Sequence, residues 1–192
     1  MDTGQAVLAA QTLLLDLRTQ LGWFRVHVGL RWDRPTWWEI DNRVMGLYDL
    51  CGTLHEALAV AETNRAPAGT ATASSSYGGT TSAQAIDGNV ATRWSSDFAD
   101  NQWLQIDLGA PYRIARARIF WEAACARRWR LEYWNGREWI AVYVNDNATG
   151  GVEEVFLDPI WAPAQLWRMH GITRATEWGF SLYEFELYGE PA

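Results

Sequence analysis

Ala85-Ile86-Asp87-Gly88-Asn89-Val90-Ala91-Thr92-Arg93-Trp94, continued by Gln102-Trp103-Leu104-Gln105-Ile106-Asp107-Leu108-Gly109, is the stretch on which the reading of the fold turns. The first half is a tight, oxygen-rich turn. Asp87 supplies a carboxylate, Gly88 opens backbone conformations closed to residues with a Cβ, and Asn89 and Thr92 add further oxygens. Such a set suits a hard cation like calcium, and it equally suits an Asx-type turn with no metal. The second half alternates: Leu104, Ile106 and Leu108 share one face and Trp103, Gln105 and Asp107 the other, the pattern of a half-buried strand.

Working outward toward the C-terminus, short alternating segments follow at regular spacing. Thr70 to Ser74 reads as an opening strand. Ile114, Arg116 and Arg118 alternate with Ala115, Ala117 and Ile119 up to Trp121. Trp129, Leu131 and Tyr133 alternate with Arg128, Arg130 and Glu132. Asn135-Gly136 is a two-residue hairpin signal leading back through Trp139, Ala141 and Tyr143, and later strands cover 152–157, 166–171 and 182–188. Many short strands separated by turns point to a β-sandwich.

The residues before this region read differently. Val7, Ala10, Leu14, Leu17 and Leu21 recur at helical steps, Leu13 and Leu15 widen the stripe so that the helix is buried on more than one side, and Gly22 ends it. Residues 23–34 alternate weakly and stop at Pro35. Thr36-Trp37-Trp38-Glu39 has the form of a capping box, and Ile40, Val44, Leu47, Cys51, Leu54 and Leu58 continue one stripe to about Thr63. A helix of roughly 26 residues would be about 39 Å long. Two such helices form a hairpin that either oligomerises, because it buries too little to stand alone, or packs on the neighbouring β domain. Residues 64–69 have the composition of a linker, so the expected domains are 1–64 and 65–192.

Composition narrows the function. Of 192 residues 48% are hydrophobic, enough for a packed core, and the net charge of −7 argues against nucleic acid and against a purely electrostatic hold on anionic lipid. Every basic residue is Arg, which points to a GC-rich bacterial coding sequence. Cys51 and Cys125 have no zinc or redox spacing and read as two free thiols, with a disulfide as the alternative. His27 and His55 read as structural. No segment is apolar and long enough to span a membrane, and the start lacks a positively charged n-region. The chain is therefore expected to be cytoplasmic, exported by another route, or part of something larger. Nucleophile elbows, zinc-protease helices and phosphate-binding glycine loops are absent from the sequence. Glu153 and Glu154 would point to opposite strand faces, and Glu184 and Glu186 share a face beside the oxygen-rich turn. A non-catalytic protein is expected.

Asp87-Gly88-Asn89 with Thr92 and Trp94, the strand from Trp103 to Gly109, Trp121-Glu122-Ala123-Ala124, Leu166-Trp167-Arg168-Met169 and the ending from Arg174 to Gly189 together resemble the discoidin domain, also called the coagulation-factor type C domain, and within it the family 32 carbohydrate-binding modules. The resemblance covers about residues 66–192. It implies a mainly β, discoidin-type jelly-roll sandwich, here preceded by the α-helical hairpin. It also implies a structural calcium ion held by the carboxylates of Asp87 and Glu184, by Thr92 through hydroxyl and carbonyl, and by backbone carbonyls of Gln84, Asn89 and Tyr183. A sugar site is implied at Tyr77, Arg93, Phe98, Glu122 and Trp178, with Trp178 as stacking platform and Arg93 and Glu122 orienting the ring. The residues alone leave alternatives: Arg93 paired with Asp97 or Asp100, Phe98 half in the core, Trp178 buried. The family implies a poly- or oligosaccharide ligand such as chitosan, a β-glucan or a galactoside. Tyr77, standing where some relatives carry an acidic residue, leaves the choice among them open. The expected function is lectin-like binding by a homo-oligomer assembled through residues 1–64. A membrane-docking domain and a protein–protein adaptor are the alternatives.

Overall fold

The computed structural model describes residues 9–10, 12–17, 19, 42–52, 63–157 and 162–192. The chain divides into two compact units, Met1–Glu62 and Thr63–Ala192.

In the first unit residues 9–10, 12–17 and 19 are helical, as are 42–52. Val44 is buried, but Leu13, Leu15, Leu17, Leu47 and Leu50 are exposed. The sequence places Leu17 and Leu47 on the inward stripe and expects Leu13 and Leu15 to be covered. Residues 23–34, the Thr36–Glu39 capping box, His27, His55, Ile40, Leu54 and Leu58 lie outside the described residues.

Among the described residues the second unit is a sandwich of eight antiparallel strands: β1 (Thr70–Ala73), β2 (Trp94–Ser95), β3 (Gln102–Trp121), β4 (Ala126–Trp134), β5 (Trp139–Asn145), β6 (Val152–Phe156), β7 (Ala164–Arg174) and β8 (Ser181–Pro191). β3 joins the two layers. Its first half pairs with β1 and β7, its second half with β6 and β8. The change of partner falls at Gly109, whose φ of +75° favours a residue without a Cβ, and where the Asp107 side chain accepts the Gly109 N–H at 2.8 Å. The sequence reads as two separate strands here; it forms one bent strand.

Alternation predicts the buried faces well, with an instructive exception. Leu104, Ile106 and Leu108 are buried as expected, and so are Ala117 and Ile119, yet Ile114 is buried with them. A register shift between Ile114 and Arg116 inserts a bulge, and a one-residue bulge turns a side chain to the other face. The turn after β4 also differs from expectation. Trp134 pairs with Trp139, so the reversal takes four residues, and Asn135 Oδ1 accepts the N–H groups of both Arg137 and Glu138 at 2.8 Å.

The core is aromatic: Trp94, Trp129, Trp167, Phe180 and Phe185 are fully buried. Their polar atoms are satisfied. The Trp94 indole donates to the Ser75 carbonyl at 2.9 Å, and the Trp121 and Trp129 indoles donate to the two oxygens of Glu153 at 2.8 and 3.1 Å. Glu153 thus points inward while Glu154 pairs with Arg116 outside. The expected linker is part of this unit. Asn64 Oδ1 accepts from Leu187 N–H, and Arg65 donates from its main chain to Leu187 and from its side chain to Gly189. Cys51 and Cys125 are free thiols.

One polar residue on the outer side of β4 is also buried. Glu132 accepts Arg168 Nε at 2.6 Å and lies 3.5 Å from His170 Nδ1, while Arg168 stacks on Trp139. Burial alone would raise this carboxyl, but the neighbouring His170 and the hydrogen-bonded Arg168 guanidinium outweigh it and hold the carboxyl below its ordinary 4.5. Glu132→Ala is expected to cost about 3 kcal/mol, because it leaves a mostly buried guanidinium without its partner. A depressed carboxyl stabilises the fold above its unfolded value and loses that contribution as pH falls through the folded value. Urea unfolding measured from about pH 6 down to about pH 3 should therefore show a shallower acid loss in the variant than in the wild type.

Candidate functional site

The turn from Gln84 to Thr92 is built to present oxygens. Thr81–Gln84 closes a single helical turn in which the Gln84 side chain accepts the Thr81 N–H at 2.8 Å. Gly88 follows at φ +75°. The Asn89 N–H then donates to Asp87 Oδ1 at 2.9 Å and to Glu184 Oε1 at 2.8 Å. Thr92 Oγ1 lies 2.8 Å from both Asp87 Oδ2 and the Asn89 carbonyl, and 3.5 Å from the Gln84 carbonyl. Tyr183 is the extra residue of a bulge in β8, since the register steps from Phe120 opposite Glu184 to Trp121 opposite Leu182.

Two carboxylates therefore face one another across this cradle. Glu184 is buried, and its Oε2 has no hydrogen-bond partner. Burial first, then the neighbouring Asp87 carboxylate, pushes its carboxyl up to about 7, against the opposing Asn89 N–H. No group of three or more His, Cys, Asp or Glu side chains is placed to hold a metal among the described residues. A cation here would draw on two carboxylates and otherwise on hydroxyl and main-chain oxygens, a donor set that fits calcium. All six residues expected as ligands lie on this turn or at the facing end of β8.

Directly after Thr92 the chain enters an open cleft of about 670 Å³. Tyr77, Arg93, Phe98, Glu122 and Trp178, expected from three separate loops and a strand end, all line it. The three aromatic residues form one wall. Phe98 stands between Tyr77, at 4.5 Å between ring centroids, and Trp178, at 5.4 Å and nearly perpendicular. Trp178 is 54% exposed, so it is not a core residue. Arg93 pairs with Glu122 at 3.2 Å rather than with Asp97 or Asp100. Glu122 is itself fixed, because its other oxygen accepts the Ala124 N–H at 2.9 Å.

Sequence reasoning missed Ser96, Thr176, Glu177 and Gly179 in the lining. Their signal was proximity to Trp178 and β2, too weak to use without the fold. Gly179 is required by close approach: a Cβ there would come within 2.4 Å of the Ser96 carbonyl. Ser96 binds the same segment twice: its N–H donates to the Phe180 carbonyl and its Oγ accepts the Phe180 N–H, each at 2.8 Å. These contacts pull the Trp178 loop onto β2. The arrangement offers stacking surface, one cation and two carboxylates to a ligand; its charged pair is already satisfied internally, which suits recognition better than proton transfer.

Residues 70–185 match the family model of the F5/8 type C domain. Chitosan-binding module 1 of a chitosanase/glucanase from Paenibacillus sp. IK-5 is 36% identical and superposes with a TM-score of 0.62, over 67% of this chain and 100% of that one. Module 2 of the same enzyme, solved with chitotriose, is 34% identical with a TM-score of 0.63, over 66% and 100%. The family 32 carbohydrate-binding module of C. perfringens NanJ, solved with galactose, shares the fold at 22% identity and a TM-score of 0.57, over 66% and 98%. A polysaccharide lyase 8 family protein, HylA of Enterococcus faecalis, is 32% identical over 68 residues, which are 35% of this chain and 5% of that protein. No helix among the described residues is long and apolar enough to cross a membrane.

Proposed function

This chain belongs to the F5/8 type C domain family, and from that premise we propose that its β unit is a non-catalytic carbohydrate-binding module for a chitosan-like polysaccharide. The observation that carries the reading is the exposed Trp178 indole, set beside Phe98 and Tyr77 in the same cleft as the Arg93–Glu122 pair. Apolar sugar faces stack on aromatic rings, and hydroxyls pair with planar charged groups. Glu122 and Glu177 supply negative charge for the amine of glucosamine, and the two chitosan-binding modules similar to this chain support that choice over a galactoside or a neutral β-glucan. Phe98 packs between two other rings instead of standing alone, which favours sugar over a lipid-docking spike. A module with such a ligand meets it outside the cell, which sets aside the cytoplasmic placement, and the similar proteins support a bacterial source.

The cradle is proposed as a structural calcium site with Asp87, Glu184, Thr92, Gln84, Asn89 and Tyr183 as ligands. The orphaned Glu184 oxygen and the confrontation of two carboxylates support it. The exposed leucines of the first unit support homo-oligomerisation, which would multiply weak single sites into avidity.

Three measurements check these readings. Wild-type protein should sediment with insoluble chitosan and Trp178→Ala should bind about tenfold less or weaker; failure of the wild type to bind chitosan, cellulose or β-1,3-glucan with calcium present rejects the module reading. Calcium at about 100 times its dissociation constant should add about 2.7 kcal/mol to stability. Glu184→Gln should lose that response while exceeding the wild type in chelator, because the buried like-charge contact is gone. Light scattering should give a multiple of the chain mass, reduced to one copy by Leu47→Glu with Leu50→Glu, which sit three apart on one helix face.

A further inference from the structure

The cleft's aromatic wall is held from outside by a side chain that does not line it. Arg174, the last residue of β7, donates from Nε to Asp100 Oδ1 at 3.0 Å, and its own main-chain N–H reaches the same oxygen at 3.1 Å. Its Nη1 donates to the carbonyls of Glu177 at 2.9 Å and Trp178 at 3.3 Å. The two segments so joined come from distant parts of the chain. Asp100 ends the loop that carries Phe98, which is anchored next door by the Asn101 N–H on the Ile172 carbonyl. Glu177 and Trp178 belong to the loop before β8. Phe98 and Trp178 are the rings that meet edge to face.

We propose that Arg174 is a positioning residue of the cleft: its planar fork spans the Asp100 carboxylate and the Glu177 and Trp178 carbonyls, and so sets the angle at which the Trp178 indole is offered to a ligand. The clasp belongs to the folded state. The Arg174 main-chain N–H first, and its guanidinium next, hold the Asp100 carboxyl below the ordinary carboxylate range. A fork with several donors in fixed geometry can satisfy one carboxylate and two carbonyls together, whereas a lysine ammonium acts as a point charge without that fixed geometry. Without the clasp the segment 175–180 keeps its ends, Ala175 on the Cys125 carbonyl and Phe180 on Ser96, but its middle carbonyls lose their donor. The indole must then be ordered by the ligand, and ordering a side chain on binding weakens affinity.

The inference rests on the cleft being a sugar site, and the test separates the two. Full-length wild type, Arg174→Met, Arg174→Lys and Asp100→Asn are compared by chitotriose titration, by amide hydrogen exchange over residues 175–179 and by thermal unfolding. Arg174→Met is expected to bind chitotriose about three- to tenfold more weakly and to exchange faster at 175–179, with β8 exchange unchanged. Arg174→Lys should fall between, since it can keep the Asp100 contact while losing the fork. Wild-type-like exchange and affinity in Arg174→Met would overturn the proposal. Should Arg174→Met not fold, Asp100→Asn, which keeps an acceptor of the same shape and loses the charge, must shift both readouts the same way or the proposal is overturned. A wild type that ignores chitotriose removes the sugar reading, and the exchange rates still decide whether Arg174 orders the loop.

Discussion

A single main-chain N–H, that of Asn89, donates to two carboxylates at once, one on its own turn and one on the final strand. Much of the functional end of the molecule depends on this tie. Asp87 and Glu184 are 97 residues apart in sequence by their numbers, and bringing them together fixes the turn that leads without a break into Arg93 and β2. Arg93 can then reach Glu122, and Ser96 can grip Phe180. The tie is electrostatically uncomfortable, since burial and like charge both oppose ionisation of Glu184. The cation proposed for this cradle would offset that cost by setting a positive charge between the two carboxylates.

The sandwich turns this local tie into a rigid rim. β3 runs through both layers and changes partners at Gly109, so the strands that carry the cleft are braced by one continuous backbone. Large indoles fill the space between layers, with their N–H groups spent on carbonyls and on Glu153. Tryptophan thus does two jobs here. Trp94, Trp129 and Trp167 build the core, and Trp178 alone among these four stands half out of it at the cleft. The number of tryptophans could not separate these roles; their location does.

The cleft's loops are short of secondary structure, and their order comes from polar clasps between them. Arg93 with Glu122, Arg174 with Asp100 and Ser96 with Phe180 each join segments that are far apart along the chain. These contacts let three exposed aromatic rings lie against one another at the surface. A surface pair of this kind adds little to global stability, but it restricts where the rings can go, and restriction is what a recognition site gains from it.

What the sequence determined by itself was whatever has a local period or a local motif. Alternation marked the strands and most of their buried faces, the helical steps marked residues 9–10, 12–17, 19 and 42–52 in part, and the Asp87–Thr92 turn with the Trp121–Ala124 segment and the Arg174–Gly189 ending carried the family resemblance. Tertiary structure alone decided the partners. The bulge at Ile114 reversed one side chain against its alternation, Glu132 was buried with Arg168 opposite it in the next strand and His170 beside that, Asn64 and Arg65 joined the sandwich instead of linking to it, and Arg93 paired with Glu122 over two aspartates nearer in sequence. The physical reason is one of range. Side-chain direction along a strand follows from neighbours two residues away, whereas a charge's partner follows from the register between strands, which no local pattern specifies.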